Sequence, residues 1–277
     1  MSGMLYLVPT PIGNLSDISP RCRETLANAD FIAAEDTRVS LRLLNHLDIK
    51  KPLVSYYEHN KEQSGPKILA RILEGETCAL VSDAGSPAIS DPGEDLVRLC
   101  AEAGVTVCAI PGPCAAITAL SISGLPTGRF TFEGFLSTNK KNRQAHLQGL
   151  MGEERTMIFY EAPHKLTGTL QDLASAFGAD RRISLCRELT KLHEEVLRMS
   201  LAEACAYYKE QEPRGEYVLI LEGASKAPEE EITVDTALSM VRSRMEQGLS
   251  RKDAVKEVSK VTGFPKNALY EAALSEL

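Results

Sequence analysis

Three loops of this chain combine glycine, proline and small side chains, a composition suited to holding a small molecule. They span residues 9–15, 82–93 and 111–116, and each follows an apolar, strand-like segment. Glycine lets a ligand approach the backbone, and proline keeps a loop rigid. Strand-to-helix loops are often of this kind, but three of them close together favour a preformed pocket.

The three loops also exclude two common classes of site. None contains the G-x-G-x-x-G pattern of a dinucleotide-binding loop or the Walker pattern of a nucleoside triphosphate site.

The seven cysteines include no C-x-x-C pair and the five histidines no H-x-x-x-H pair, so we expect reduced core thiols and no bound metal.

Two acids and a base directly follow the apolar segment 31–34. Glu35, Asp36 and Arg38 therefore stand where a strand ends. In open α/β sheets the carboxyl ends of the strands border the ligand crevice, so these side chains are candidates for acid–base chemistry. The structural alternative is an ordinary helix start, with Asp36 or Thr37 as the N-cap.

A second charged group follows the apolar segment 183–186. It contains Glu188 and Lys191, which could meet the first group across a cleft. Either a carboxylate or a lysine of lowered pKa can accept a proton from a bound hydroxyl.

An alternation of strands and helices must position these groups. Apolar segments at 5–8, 31–34, 77–81 and 105–110 alternate with helical patterns, the first of which is capped by Ser19-Pro20. This alternation indicates a parallel α/β sheet. Glycine and proline interrupt it at residues 121–129, so we place the end of a first lobe at residue 124.

A second α/β lobe is predicted for residues 125–224, and a helical appendage for residues 225–277. The second lobe contains apolar runs at 130–135, 157–160, 183–186, 196–199 and 217–221, with a helical pattern at 165–177. Residues 225–231 read as an exposed linker. A helix at 251–261, a glycine turn and a helix from Pro265 then form a helix-turn-helix pattern.

Two basic patches are candidates for contact with RNA. Acidic residues are absent from the stretch around Lys140, Lys141 and Arg143, which could equally be a solvated loop. The appendage carries seven basic and three acidic residues between Met240 and Asn267, and we single out Arg251, Lys252, Lys256 and Lys266. A packing or dimerisation module is the alternative.

Bulk composition agrees with an ordinary globular enzyme. Hydrophobic residues make up 43% and charged residues 25%, and the formal net charge is −7. This acidic balance argues against a general coating of nucleic acid, although local patches can still bind it. No apolar run reaches the roughly 20 residues of a membrane span, so we expect a cytosolic protein without membrane contact.

Six segments resemble one known family closely. They are residues 7–15 (LVPTPIGNL), 33–38 (AAEDTR), 81–85 (VSDAG), 111–113 (PGP), 159–161 (FYE) and 187–191 (RELTK). These segments resemble the bacterial ribosomal RNA small-subunit methyltransferase I family, a branch of the tetrapyrrole methylase superfamily. The resemblance implies two α/β lobes with S-adenosylmethionine in the cleft between them.

The same resemblance implies an acceptor, a partner and a set of site residues. It implies methylation of a cytidine 2′-hydroxyl in the decoding centre of 16S rRNA, in the small ribosomal subunit, by a homodimer. Asp36 is then the expected proton acceptor, Arg38 its ion-pair partner or a phosphate clamp, and Lys191 the alternative base. The implied cofactor contacts are Ile12, Asp83, Gly85, Ser86, Cys114, Ala115, Phe159, Leu189, Gly215 and Glu216.

Two other functions stay open at this stage. A tetrapyrrole or another small acceptor is one, although the G-x-G-x-G-D loop common in tetrapyrrole methylases is replaced here by residues 9–14 (PTPIGN). A non-enzymatic regulator that senses a metabolite and binds DNA through the appendage is the other.

Overall fold

A computed structural model describes residues 3–225 and 233–276. The chain forms two compact units, which we call the N-terminal unit (Met1–Ala224) and the C-terminal unit (Ser225–Leu277). Most of the linker expected at 225–231 lies outside the described residues. Among the described residues, no helix combines the length and apolarity that a bilayer span requires.

The first sheet of the N-terminal unit has five parallel strands in the order β3-β2-β4-β1-β5. Its strands are β1 (Met4–Leu7), β2 (Phe31–Ala34), β3 (Leu53–Ser55), β4 (Cys78–Val81) and β5 (Thr106–Ala109). The associated helices are α1 (Pro20–Asn28), α2 (Thr37–His46), α3 (Lys61–Leu73), α4 (Gly93–Glu102) and α5 (Ala115–Ile122).

Burial on both faces explains why these strands are short continuous apolar runs. In β2, Ile32 and Ala34 pack into one apolar cluster while Phe31 and Ala33 pack into another on the opposite face. The helix starts follow local capping, because the hydroxyl of Ser19 accepts a hydrogen bond from the amide of Cys22 at 3.1 Å.

The second sheet of the N-terminal unit is mixed. Its order is β6-β7-β10-β8-β9, with β6 and β7 parallel and the other neighbours antiparallel. The strands are β6 (Phe130–Phe135), β7 (Thr156–Glu161), β8 (Arg182–Arg187), β9 (Glu195–Ser200) and β10 (Tyr217–Leu221). The helices are α6 (Lys140–Gly149), α7 (Pro163–Phe177) and α8 (Leu201–Glu210).

Helix α5 joins the two sheets. It follows the first sheet in the chain, yet Ala119 and Leu120 pack on Ile158 and Val218 of the second sheet. The side chain of Arg198, on β9, donates to the backbone oxygen of Ser123 at 3.0 Å, just beyond the end of α5. The N-terminus of α5 is thereby held against the ends of strands from both sheets.

Within residues 233–276, the C-terminal unit consists of α9 (Val234–Glu246), α10 (Arg251–Thr262) and α11 (Lys266–Glu276). The hydroxyl of Ser250 caps α10 by accepting from the amide of Asp253 at 3.2 Å, and Gly263 ends the helix with a φ of +71°. Buried Val241, Val255 and Leu269 form a core of their own.

Leu219 tests the contribution of the second sheet to stability. It is fully buried at the centre of β10, so Leu219→Ala removes apolar contacts on a face covered by α7 and α8. We expect the free energy of unfolding in urea to fall by about 2–5 kcal/mol. The control is Leu192→Ala, because Leu192 is 92% exposed. Equal unfolding midpoints for the two variants would contradict this account of the core.

Candidate active site

A cavity of about 460 Å³ opens within the N-terminal unit, where the carboxyl ends of strands from both sheets meet the start of α5. Its lining combines apolar side chains with carboxylates. The lining residues are Ile12, Glu35, Ser82, Asp83, Ala84, Gly85, Ser86, Ile89, Ser90, Asp91, Cys114, Ala115, Phe135, Tyr160, Glu161, Ala162, Pro163, Cys186, Leu189, Glu216, Tyr217 and Val218. The predicted crevice is therefore present, and all three predicted loops contribute to it.

Hydrogen bonds tie the three loops to one another. The amides and carbonyls of Thr10 and Gly85 are paired at 2.9 and 3.0 Å. The Thr10 hydroxyl donates to the carbonyl of Ser82 at 3.1 Å, and the Ser86 hydroxyl donates to the carbonyl of Pro113 at 3.0 Å. The pocket wall is thus preformed by the protein's own backbone.

Loop 82–93 carries a strained backbone. Ala88 and Ser90 have φ angles of +69° and +62°, a region that residues other than glycine rarely occupy. The carboxylate of Asp91 holds this shape by accepting from the amides of Ala88 at 2.9 Å and Gly93 at 2.7 Å. Strained residues of this kind concentrate at functional loops.

The N-terminus of α5 opens into the cavity at Cys114 and Ala115. Its first turn is tied to the second sheet, because the amide of Ala116 donates to the Tyr160 hydroxyl at 3.2 Å. Helix N-termini carry partial positive charge and outward-pointing amides, so this end of the cavity suits an anionic group such as a carboxylate.

Of the charged residues Glu35, Asp36 and Arg38, Glu35 lines the cavity. Burial raises the pKa of its carboxyl group, and the nearby charges of Asp83 and Asp91 raise it further. The Asp83 carboxylate also lines the cavity and accepts from the amide of Asp36 at 3.0 Å; burial raises its pKa as well. This wall therefore repels further negative charge and attracts positive charge.

Asp36 is the N-cap of α2, which is the structural alternative to a catalytic role. Its carboxylate caps α2 by accepting from the amide of Arg38 at 2.8 Å, and it binds the Arg38 guanidinium at 3.0 and 2.6 Å. The hydrogen bonds from Arg38 hold the pKa of Asp36 well below its usual range. Asp36 is consequently a weaker proton acceptor than Glu35, and Arg38, whose side chain is 86% exposed, is its ion-pair partner as expected.

Lys191 bridges two carboxylates. Its ammonium donates to Glu188 and to Glu216, both at 2.8 Å. Burial lowers the pKa of Lys191, but the two hydrogen-bonded carboxylates outweigh it, so the net direction is upward. A lysine base needs a lowered pKa, so the structure argues against Lys191 in that role.

All but two of the predicted cofactor-binding residues line the cavity. The side chain of Phe159 does not line the cavity: it is fully buried in the core on the opposite face of β7, and Tyr160 lines the cavity instead. A cofactor contact of Phe159 stays a prediction. Gly215 supports the site indirectly. With φ +81°, it lies so close to Glu188 that a Cβ would be 2.7 Å from an oxygen of that carboxylate.

Sequence reasoning missed part of the lining, chiefly the turn that follows β7 and the end of β6. These residues are Phe135, Tyr160, Glu161, Ala162 and Pro163. The alternation of side chains along a strand could have identified Tyr160, because Met157 and Phe159 share one face and Ile158 and Tyr160 the other.

The first basic patch is a helix rather than a loop. Lys140 and Lys141 are exposed in the first turn of α6, which Asn139 caps. Arg143 is turned inward: its side chain is 13% exposed and donates to Asp172 at 2.5 Å and to Thr169 at 2.8 Å. Arg143 thus ties α6 to α7, and an RNA contact of its side chain stays a prediction.

In the C-terminal unit, Lys252, Lys256 and Lys266 are exposed, whereas Arg251 is half-buried. Lys252, Lys256 and Lys260 recur at intervals of four residues, so they lie on one face of α10. A basic stripe therefore remains available on this unit.

Comparisons with known proteins decide the family. Residues 4–205 match the family described as Tetrapyrrole (Corrin/Porphyrin) Methylases, and residues 230–277 match the RsmI C-terminal HTH domain. The ribosomal RNA small subunit methyltransferase I of Synechocystis sp. is 47% identical over 98% of both chains, and that of Escherichia coli O157:H7 is 47% identical over 99% of this chain and 96% of its own. The chain belongs to the ribosomal RNA small subunit methyltransferase I family.

Solved structures confirm the predicted fold. Uroporphyrin-III-C-methyltransferase from Thermus thermophilus superimposes with a TM-score of 0.57 at 20% identity, covering 79% of this chain and 94% of that one. Diphthine synthase gives a TM-score of 0.61 at 15% identity, covering 80% and 90%. At these identities the likeness concerns the fold alone: tetrapyrrole methylase lobes, to which this family adds its helical C-terminal unit.

Gly13 tests the contact between loop 9–15 and the loop after β8. A Cβ at Gly13 would lie 2.5 Å from the Lys191 Cγ and 2.8 Å from the carbonyl oxygen of Leu189. We expect Gly13→Ala to lower the free energy of unfolding by about 1–3 kcal/mol, because the two loops must separate.

Gly168→Ala is the matched control, because nothing lies within 4 Å of the added Cβ and the residue is exposed within α7. That variant should gain about 0.5–1 kcal/mol. Urea titrations of both proteins make the comparison. A Gly13→Ala protein as stable as the parent would show that the loops do not depend on this close approach.

Proposed function

We propose that this chain uses S-adenosylmethionine to methylate the 2′-hydroxyl of a cytidine in the decoding centre of 16S rRNA. The observation that carries the proposal is the 47% identity, over nearly the full length of both chains, to proteins named ribosomal RNA small subunit methyltransferase I. The ribose position and the cytidine rest on the resemblance of the six motif segments to that family. A small-subunit RNA substrate would place the enzyme in the cytoplasm, and we propose a homodimer on the same resemblance.

The cavity fits the methyl donor. S-adenosylmethionine supplies a methyl group on a positively charged sulfonium and also carries a carboxylate, an ammonium and an adenine ring. The α5 N-terminus at Cys114 and Ala115 would hold the carboxylate, and Asp83 the ammonium. Apolar surface at Leu189 and Val218 would hold the adenine.

The acidic wall favours the charged donor over its product. Burial is the main cause of the raised pKa of Glu35, and repulsion from the charges of Asp83 and Asp91 raises it further. A sulfonium relieves that repulsion, whereas the demethylated thioether is neutral. We therefore propose that this wall helps to select the methylated form and to release the product.

Glu35 is the proton acceptor in our proposal. Methyl transfer is an in-line displacement, so the protein aligns donor and acceptor and removes the hydroxyl proton. A ribose hydroxyl is a weak acid, and a carboxylate of raised pKa is a better base than one of normal pKa. Glu35 combines such a pKa with a place in the cavity wall, while Asp36 is occupied by Arg38 and by the helix start.

The variant Glu35→Gln tests the base. It keeps the size of the side chain but removes its basicity, so kcat for methyl transfer to small subunits should fall about 10²- to 10⁴-fold. Calorimetry should show that S-adenosylhomocysteine still binds. Since the acceptor must be deprotonated, the parent rate should decline as the pH falls through the raised pKa, and the variant should lack this decline.

Asp36→Asn provides the comparison, because asparagine still caps a helix. It should retain more activity than Glu35→Gln. The reverse order of activities would assign the proton transfer to Asp36. Methylation of porphyrinoids instead of small subunits, or failure of the parent protein to bind the donor, would contradict the proposed function itself.

The exposed lysines of α10 test the binding of RNA. Replacing Lys252, Lys256 and Lys260 together by glutamine removes three positive charges from one face. We expect weaker binding of small subunits and a smaller dependence of affinity on salt. The log–log slope should decrease by roughly 0.7–0.9 for each phosphate that the variant no longer neutralises.

The control replaces Lys50, Lys51 and Lys67 of the N-terminal unit by glutamine, which changes the net charge equally. Filter binding at several salt concentrations gives the slopes. Identical slopes for the two triple variants would remove α10 from the RNA interface.

A further inference from the structure

One end of the cavity has no role in the donor site described above. It is formed by Ile89, Ser90, Phe135, Ala162 and Pro163, and we call it the distal end. None of these five residues belongs to the predicted cofactor-binding set. Glu35 and Asp91, which precedes Pro92 and follows Ser90, also line this cavity.

A β-bulge in β6 directs Phe135 into the distal end. Phe132 pairs with Ile158, but Gly134 pairs with the next residue, Phe159, so Glu133 is an extra residue in β6. Gly134 takes up the irregularity with a φ of +61°. Bulges of this kind occur next to active sites, where they redirect a side chain.

The bulge changes the face on which Phe135 lies. Side chains alternate between the two faces of a regular strand, so Phe132 and Phe135, three residues apart, would point to opposite faces. Here both rings contact Tyr160 edge-on, with centroid distances of 5.1 and 5.5 Å. Tyr160 is itself held by the amide of Ala116, so the orientation of Phe135 is fixed from behind.

Phe135 nevertheless keeps an open surface. Its side chain is 58% exposed, although it lines the cavity. The bulge also brings β6 against the strained loop 82–93, since a Cβ on Gly134 would lie 3.4 Å from the hydroxyl oxygen of Ser90. An exposed, rigidly backed aromatic ring therefore stands at the mouth of the distal end.

We propose that Phe135 is the stacking platform for the nucleobase of the acceptor nucleotide, an inference that rests on the proposed RNA methyltransferase function. In this proposal the ribose hydroxyl enters the cavity beside Glu35 and the donor, and the attached base leaves its stack and binds another surface. Proteins commonly supply an aromatic ring for a base that is splayed out of RNA. Phe135 is the exposed aromatic side chain of the cavity lining, and it flanks the end that the donor leaves free.

The variant Phe135→Ala tests the platform with the full-length protein and small ribosomal subunits that lack the methylation. We expect kcat/KM for the subunits to fall about 5- to 150-fold, the range found when a base-stacking aromatic is removed. The dissociation constant of S-adenosylhomocysteine, measured by calorimetry on the same variant, should change by less than about twofold. That measurement also verifies that the variant is folded.

Three further variants separate stacking from packing. Phe135→Trp should keep most of the activity, because it retains an aromatic face. Phe135→Leu keeps apolar bulk without that face, and should resemble Phe135→Ala. Phe130→Ala should match the parent, since Phe130 lies on the same strand and is 39% exposed but is outside the cavity lining.

Each other outcome overturns the inference in a distinct way. Full activity of Phe135→Leu would show that hydrophobic contact suffices. A loss of S-adenosylhomocysteine binding in Phe135→Ala, with unchanged turnover at saturating donor, would assign Phe135 to the donor site. If Phe135→Ala methylates as well as the parent, the platform is wrong while the proposed function stands; if the parent itself methylates no ribosomal RNA, the proposed function is wrong.

Discussion

The burial of α5 on the second sheet is the interaction on which the rest of the site depends. Ala119 and Leu120 pack on Ile158 and Val218, although the chain reaches α5 directly from the first sheet. This packing sets the separation of the two sheets. It also places the α5 N-terminus at the point where strands from both sheets end, and such a helix start suits a carboxylate. A subsite for the anionic group of a small molecule therefore follows from an apolar contact several residues away.

A second constraint is electrostatic, and it acts against stability. Glu35 and Asp83 are partly buried beside Asp91, and their raised pKa values show that the folded protein disfavours their charged forms. On the opposite wall, Glu188 and Glu216 are neutralised by Lys191. The carboxylates on one side of the cleft are thus paired with a lysine, whereas those on the other side are not. A cationic ligand would relieve the repulsion between the carboxylates of that second side.

Much of this organisation could be predicted from the sequence, for identifiable physical reasons. Strands buried on both faces appear as short apolar runs, so β2 and β10 were located within their observed bounds. The pocket loops were recognisable because three loops rich in glycine and proline follow strands of the same predicted sheet, whereas a single loop of this kind is common after any strand. The face of a side chain was harder to predict: alternation along β7 places the neighbours Phe159 and Tyr160 on opposite faces, and the packing of α5 and α7 decides which face borders the cavity. The inward position of Arg143 could not be read from the sequence, because its acidic partner, Asp172, lies on another helix.

The bulge at Gly134 shows why a shared fold leaves the acceptor undetermined. Lobes of the tetrapyrrole methylase type superimpose on chains with different names and low identity, so the layers of sheet and helix cannot select the acceptor. In our proposal, one extra residue in an edge strand helps to select the acceptor. The extra residue turns an aromatic ring from one face of the sheet to the other without altering the core. The neighbouring loop 82–93 is also a local irregularity of the backbone, since its left-handed residues are held by the carboxylate of Asp91 rather than by the sheet. Our proposal for Phe135 therefore places the acceptor specificity of this chain in local backbone irregularities at the rim of the cavity.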